Sequence, residues 1–398
     1  MLLATLLIAC NKDEPVDPQI PETRDEPTSA QVTGSVFEPA LVPATDARIA
    51  QLRVPAGFAV AKFADGLGKP RMLAVAPAGH VYVSNREAGT VTLLRDTNND
   101  GVADVRQVVA TIKSAHGLTV HDNRLYIVSI KEVYAAPINA DGTLGQAQTL
   151  ISNLPDAGQH PNRTIAFGPD GLMYLTVGST CNACAEPNAE HATMLRANPD
   201  GTGRIIFASG LRNTIGFGWH PQTRVLYGFD HGIDWLGDEQ QMEELNVIKQ
   251  GAFYGWPYIY GDGRYNPHPR PMGDTTYAQI LAKTTLPVLQ YEAHAAPLGM
   301  VFYTSAGAAG SFPAEYRNDA FVTMRGSWNR SRPSGYKVVR VRFENGQPTR
   351  VDDFVTGFLV DNNQAQFGRP VGIATLPDGS LIFSEDNNGV LYRVSYRK

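Results

Sequence analysis

From about residue 50 one phrase of apolar and polar positions recurs along the chain. A short apolar run is followed by a turn with Gly, Asn or Asp, then by a second run in which apolar residues alternate. It reads LAVAPAGHVYVSN at 73–85, LTVHDNRLYIVS at 118–129, IAFGPDGLMYLTVG at 165–178 and FGWHPQTRVLYGFD at 217–230. Two further copies are GMVFYTS with NDAFVTM near 299–324 and IATLPDGSLIFSED at 373–386. Period-two alternation bounded by turn residues predicts β-hairpins, and six copies at this spacing predict a propeller or solenoid. A four-stranded blade cannot bury both faces alone, so the copies must stack into a ring. The expected fold is all-β: a six-bladed β-propeller over residues 46–398, with a disordered N-terminal tether. VLYRVSYRK (390–398) is expected to share a blade with FAVAKF (58–63) and close the ring. A pair of β-sandwich domains is the alternative, but nothing from 50 to 398 has the composition of a linker.

Composition narrows the function classes. The 398 residues are 43% hydrophobic, enough for a large core, and 38 Gly with 27 Pro suit many tight turns. The net charge is −5, from 34 Lys plus Arg against 39 Asp plus Glu without a basic run. Such a balance does not support a nucleic-acid surface. MLLATLLIAC (1–10) resembles a lipoprotein signal segment ending at Cys10, although it lacks a basic n-region. It is too short to span a bilayer as a helix. Residues 11–45, rich in Pro, Asp, Glu and Thr, read as a disordered tether. The protein is therefore expected to be exported, to the periplasm or cell envelope, and lipid-anchored at Cys10. In that compartment Cys181-x-x-Cys184 reads as a local disulfide. Ala185 stands where a c-type haem site needs His, and zinc would need two more ligands, with His191 near.

Polar chemistry is densest in residues 208–257 and recurs where strands give way to loops. The constellations are Ala115–Leu118 with His116, Gly158–Arg163 with His160, Leu211–Asn213 with Arg212, Asp230–Asp234 with His231, Gly232 and Ile233, Glu292–His294, Met324–Arg330 with Arg325, and Gly368–Pro370 with Arg369. Equivalent loops of a propeller converge on one mouth of its channel, so four His and several Arg are expected to face one pocket. Blander readings stand beside this. Arg212 could pair with local acids, His116 and His231 could only orient neighbours, and Asp238, Glu239, Glu243 and Glu244 could be a solvated loop. Trp219, Trp235, Trp256 and Trp328 are expected mainly in inter-blade core. Asp96–Asp104 has the early ligand spacing of an EF-hand loop, but Gln107 replaces its closing glutamate, and an Asn-Asp-Gly tip also makes a plain hairpin turn.

QHPNRTIAFGPDG (159–171), GLRNTIGF (210–217), DHGIDWLGDE (230–239), ELNVIKQGAFYGWP (244–257) and GRPVGIATLPDGSLIFSED (368–386), in this order, resemble the glucose/sorbosone dehydrogenase family. These are soluble six-bladed propellers that use pyrroloquinoline quinone (PQQ). The resemblance spans about residues 50–398. It implies that His160 is the general base for a substrate hydroxyl and that Arg212 stabilises charge developing on the quinone. Asn213 would also hold the cofactor, Gly232 and Ile233 carbonyls a Ca²⁺, and Arg369 and Arg325 cofactor carboxylates. His116 and His231 would orient or pack the cofactor. The chemistry agrees: Arg forks suit carboxylates, oxygen ligands suit calcium, and His suits proton transfer near neutrality. His231 stands where glucose-oxidising members carry Gln, Gln159 where they carry Asp, and the sugar-pocket loops are shorter. His116-Gly117-Leu118 looks more like the sorbosone and pyranose dehydrogenase branch. The implied function is PQQ- and Ca²⁺-dependent oxidation of a sugar or sugar-derived alcohol or aldehyde, with electrons passed to an external acceptor. A Ca²⁺-dependent lactonase-type hydrolase and a non-catalytic binding propeller are the other readings.

Overall fold

The computed structural model describes residues 34–156, 158–308 and 310–397; the signal-like segment with Cys10 and most of the expected tether lie outside the described residues. Among the described residues, six four-stranded antiparallel sheets form the body of the fold, with one three-stranded and one two-stranded sheet beside them. Each recurring phrase supplies the two inner strands of one sheet. Blade 1 has Leu73–Val75 and Val81–Asn85, blade 2 Gly117–His121 and Arg124–Val128, and blade 3 Ile165–Phe167 and Met173–Val177. Blade 4 has Thr214–Trp219 and Leu226–Asp230, blade 5 Pro297–Phe302 and Ala320–Met324, and blade 6 Pro370–Thr375 and Leu381–Glu385. Neighbouring blades touch in cyclic order, and the innermost strand of blade 6 packs on that of blade 1. The ring closes as the sequence predicts: Phe58–Ala64 is the outer strand of blade 6, antiparallel to Val390–Tyr396, with Val60 opposite Val394.

Burial explains why the blades stack. In Arg124–Val128, Leu125 and Ile127 join the cluster shared with blade 1, while Tyr126 and Val128 join the one shared with blade 3. Both faces are covered, so the second strands are apolar at nearly every position rather than alternately apolar and polar. Fully burying one such side chain is worth about 1.5–3 kcal/mol, which a lone blade would forfeit. Hydroxyls then fix three of the blades to the next. Ser84 Oγ donates to His116 O at 2.6 Å, Ser384 Oγ to Arg71 O at 2.5 Å, and Thr323 Oγ1 to Val371 O. The loops that enter the innermost strands are held by these bonds.

The sequence reads as a tether through residue 45, but residues 37–45 are anchored to the propeller. Ala40–Leu41 pairs in parallel with Ala365–Gln366, Phe37 N donates to Trp328 O at 3.1 Å, and Asn388 Nδ2 donates to Val42 O at 3.0 Å. A Pro-containing extended segment needs only backbone partners to bind a sheet edge, which composition does not reveal. Thr45 then caps the short helix Asp46–Ile49. Met72, Ile215, Leu298 and Val371, where the innermost strands of blades 1, 4, 5 and 6 begin, meet in one buried apolar cluster.

Candidate active site

Loops of blades 1, 3, 4, 5 and 6 enclose a cavity of about 440 Å³ beside that apolar cluster, with Leu298 shared between the two. Six cationic side chains line it, Lys69, Arg71, Arg86, Arg212, Arg325 and Arg369, against the carboxylates Glu87, Asp234 and Asp386. The chain as a whole is acidic, so this concentration of positive charge is local. Asp386 aligns two of the arginines: Arg71 Nη1 bonds one carboxylate oxygen and Arg325 Nε lies 3.0 Å from the same oxygen. Burial alone would raise the Asp386 carboxyl, but the two guanidiniums outweigh it and hold the group below its ordinary range. Arg369 is 3% exposed, donates to the carbonyls of Arg325 and Gly326, and pairs with Glu38 of the N-terminal strap at 2.9 Å.

Blades 3 and 4 supply the groups suited to proton and charge transfer. His160 Nδ1 lies 2.7 Å from Ser179 Oγ and 3.0 Å from Ser179 O. Ser179 Oγ donates its own proton to Cys181 O at 2.7 Å, so both groups facing Nδ1 accept, and the ring carries its hydrogen there. Nε2 keeps a free lone pair. Burial, then the charges of Arg212 and His231, push the His160 pKa down to about 2. His231 Nε2 donates to Pro297 O at 2.5 Å, which leaves Nδ1 to accept from Asn213 Nδ2 at 3.3 Å. That orientation leaves the buried Asn213 Oδ1 without a donor. Gly178 permits the close packing here, since a Cβ on it would lie 2.6 Å from His160 Cβ and 3.0 Å from Asn213 Oδ1. Asp230, buried, accepts from Arg212 N, Asn213 N and Thr214 Oγ1, each at 2.8 Å, and so fixes that turn. The Arg212 side chain donates through Nε to Asn182 O at 2.9 Å, and through Nη2 to Asn182 Oδ1 at 2.6 Å and Asp234 Oδ2 at 2.8 Å. Nη1 has no partner among the described residues.

The chain and its fold have counterparts among known proteins. A family model described as TrAA12-like matches residues 52–397. The chain belongs to the TrAA12-like family. An uncharacterized protein of Borreliella burgdorferi is 31% identical over 87% of this TrAA12-like chain and 91% of its own. The pyrroloquinoline quinone-dependent pyranose dehydrogenase of Coprinopsis cinerea is 24% identical over 86% of the chain, which spans 54% of that enzyme. Among solved structures, the iodide structure of the family AA12 carbohydrate-active enzyme of Trichoderma reesei superposes with a TM-score of 0.75 at 22% identity, covering 90% of this chain and 100% of that one. The holo form of the PQQ domain of the Coprinopsis cinerea pyranose dehydrogenase gives 0.72 at 22% identity, with 90% and 100% covered. These likenesses establish the propeller fold and relate the TrAA12-like chain to PQQ-dependent sugar dehydrogenases.

Of the residues singled out in the sequence, His160, Arg212, Asn213, His231, Arg325 and Arg369 line the cavity together. His116, His294, Gly232 and Ile233 do not. Blade 2 contributes nothing to the lining, and His116, 1% exposed, donates through Nδ1 to Arg163 O at 2.8 Å. His294 turns its Nε2 to Gly237 O at 2.8 Å. Gly232 and Ile233 are buried, and their carbonyl oxygens accept no hydrogen bond among the described residues. A Cβ on Gly232 would lie 2.5 Å from Gln241 O, so only glycine fits. Arg212 does pair with a local acid, yet it still reaches the cavity. Glu243 and Glu244 are buried rather than solvated, and Glu243 bonds Gly232 N and Ala296 N. Asp96–Asp104 lies at a turn of blade 1, its carboxylates bonded to the loop's own N–H groups. Sequence reasoning missed Lys69, Arg71, Arg86, Glu87 and Asp386 as lining groups, and Asn182 behind Arg212. One signal was available. Arg71, Arg163, Arg212 and Arg369 each stand just before an innermost strand, in four different blades.

Proposed function

We propose that this protein is a PQQ- and Ca²⁺-dependent dehydrogenase that oxidises a sugar or sugar-derived alcohol or aldehyde and passes the electrons to an external acceptor. The observation that carries this reading is the cationic cavity that also presents a proton-free histidine nitrogen. A planar tricarboxylate fits such a wall: Arg71, Arg325 and Arg369 would hold its carboxylates, and Arg212 Nη1 and the donor-free Asn213 Oδ1 would meet its polar edge. The unbonded carbonyls of Gly232 and Ile233 suit a hard cation. When bound, PQQ supplies the two-electron acceptor for the hydride leaving the substrate carbon.

The chain's own residues do the rest. His160 Nε2 takes the hydroxyl proton, and Ser179 holds the ring in the tautomer that permits it. Burial is the larger cause of the low His160 pKa, and an anionic ligand beside Arg212 would offset the second, the positive field, raising the proton affinity of the ring. Trp328, 46% exposed at the cavity edge, offers a face on which a sugar ring can stack. A lactonase reading is less well supported, because the cavity wall is dominated by cations rather than by carboxylates that would ligate a metal. Export with a lipid anchor at Cys10 remains part of the proposal, and the Cys181–Cys184 disulfide is in keeping with an oxidising compartment.

The test is dye-linked oxidation of a panel of aldoses and related sugars by protein loaded with PQQ and Ca²⁺. His160→Ala should lower kcat by about 10²–10⁴ while PQQ affinity stays within about threefold. Turnover by the variant at the wild-type rate, or no turnover by the loaded wild type, contradicts the reading.

A further inference from the structure

We propose that the loop closed by the Cys181–Cys184 disulfide is a positioning element of this site, and that Asn182 at its tip sets how Arg212 meets the cavity. What Arg212 and His160 accomplish rests on the function proposed above; how they are held does not. Asn182 accepts four hydrogen bonds. Its main-chain oxygen takes Arg212 Nε at 2.9 Å and Trp256 Nε1 at 3.1 Å, and its Oδ1 takes Arg212 Nη2 at 2.6 Å and Asp234 N at 3.0 Å. Asp234, itself held by Asn329 Nδ2 at 2.9 Å, completes the clamp on Nη2. Two of the three guanidinium nitrogens are thus engaged from behind, and Nη1 is the one left for a ligand. The neighbouring residue acts on the other reacting group, because Cys181 O orients the Ser179 hydroxyl that fixes the His160 tautomer.

The loop lies between the strands Met173–Val177 and Thr193–Ala197 and joins no sheet. Besides the disulfide, Glu186 braces it with a carboxylate that takes Thr180 N and Oγ1, each at 2.8 Å, and Cys181 and Ala183 pack against the buried cluster of Ile233, Leu236 and Trp256. A dithiol would reduce the bridge to two thiols, taking up two electrons and two protons at Cys181 and Cys184 while the dithiol is oxidised to its own disulfide. The propeller's sheets do not depend on that bond, so the site should loosen while the fold persists.

The experiment compares wild type, Asn182→Ala, Asn182→Asp and the Cys181→Ala/Cys184→Ala double variant. Two readouts are taken: calorimetric titration with PQQ in the presence of Ca²⁺, and the ring ¹⁵N signals of His160 in histidine-labelled protein, with unfolding temperature as a control on the fold. Asn182→Ala should weaken PQQ binding tenfold or more. Asn182→Asp, which keeps both acceptors, should restore it to within about threefold. The double variant should weaken binding and turn the single His160 tautomer into an exchanging mixture, at an unfolding temperature near that of wild type. Wild-type affinity in Asn182→Ala, equal losses in Ala and Asp, or an unchanged His160 ring in the double variant would overturn the inference. If wild type binds no PQQ, the proposed function fails, and the His160 ring signals of the double variant alone decide whether the loop holds the ring.

Discussion

His116 and His160 are kept neutral by the fold, and that has a thermodynamic cost at low pH. Burial, and then the charge of Arg71, pushes the His116 pKa down to about 3; His160 falls to about 2. In the unfolded chain both rings titrate near their ordinary value of about 6.5. As pH falls below that value the unfolded state gains protons that the folded state refuses, so stability is complete above it and is lost on acidification. Each such ring contributes a slope of up to about 1.4 kcal/mol per pH unit. His116→Gln, which removes one titrating group away from the cavity, should flatten the curve by about that amount between pH 6 and 4, measured by urea unfolding. Parallel curves for the two proteins would contradict it. At this scale the sequence was informative about which residues carry chemistry and less so about which face the cavity. His116 and His160 both follow a polar turn before an innermost strand, but no pattern in the chain shows that blade 2 stands outside the lining. Asn182 was hidden for another reason: its role comes from accepting bonds across space, from partners 30, 52 and 74 residues away.

The N-terminal strap is an element that composition concealed. Its Glu38 carboxylate accepts from Arg369 Nη1, so if Arg369 holds an anionic cofactor the two acceptors compete for one guanidinium. Glu38→Gln should tighten binding of an anionic cofactor several-fold in a calorimetric titration; unchanged or weaker binding would show that the contact only holds the strap. Prolines and acids made residues 34–45 look like tether, whereas their anchoring comes from backbone hydrogen bonds that any residue types can make. The second strands teach the converse lesson. Each was recognisable as a strand from its apolar residues and bounding turns, yet Val81–Asn85 and Met173–Val177 are buried on nearly every residue because neighbouring blades cover both faces. Only the ring, not the hairpin, accounts for that pattern.

For the whole molecule, ring closure was legible because Phe58–Ala64 and Val390–Tyr396 are apolar strands at the two ends of the repeats; Val390–Tyr396 pairs its sequence neighbour Leu381–Glu385 on one edge and takes Phe58–Ala64 on the other. Leu391, Tyr392 and Val394 are fully buried between blades 5, 6 and 1. Deleting residues 390–398 should therefore cost several kcal/mol, at about 1.5–3 kcal/mol for each large apolar side chain. Thermal unfolding followed by circular dichroism should show the cooperative transition lost or moved far down; a wild-type Tm would contradict closure by these strands. Charge is organised on the same scale. A chain of net charge −5 concentrates six cations around one cavity, an arrangement that favours a multiply anionic ligand. The most direct test of the account is a titration of chelator-treated protein with PQQ, with and without Ca²⁺, followed by quinone absorbance and calorimetry. The account predicts one PQQ bound per chain, dependent on Ca²⁺ and weakened at least tenfold by Arg212→Ala. Absence of binding, or binding indifferent to both Ca²⁺ and Arg212, would contradict it.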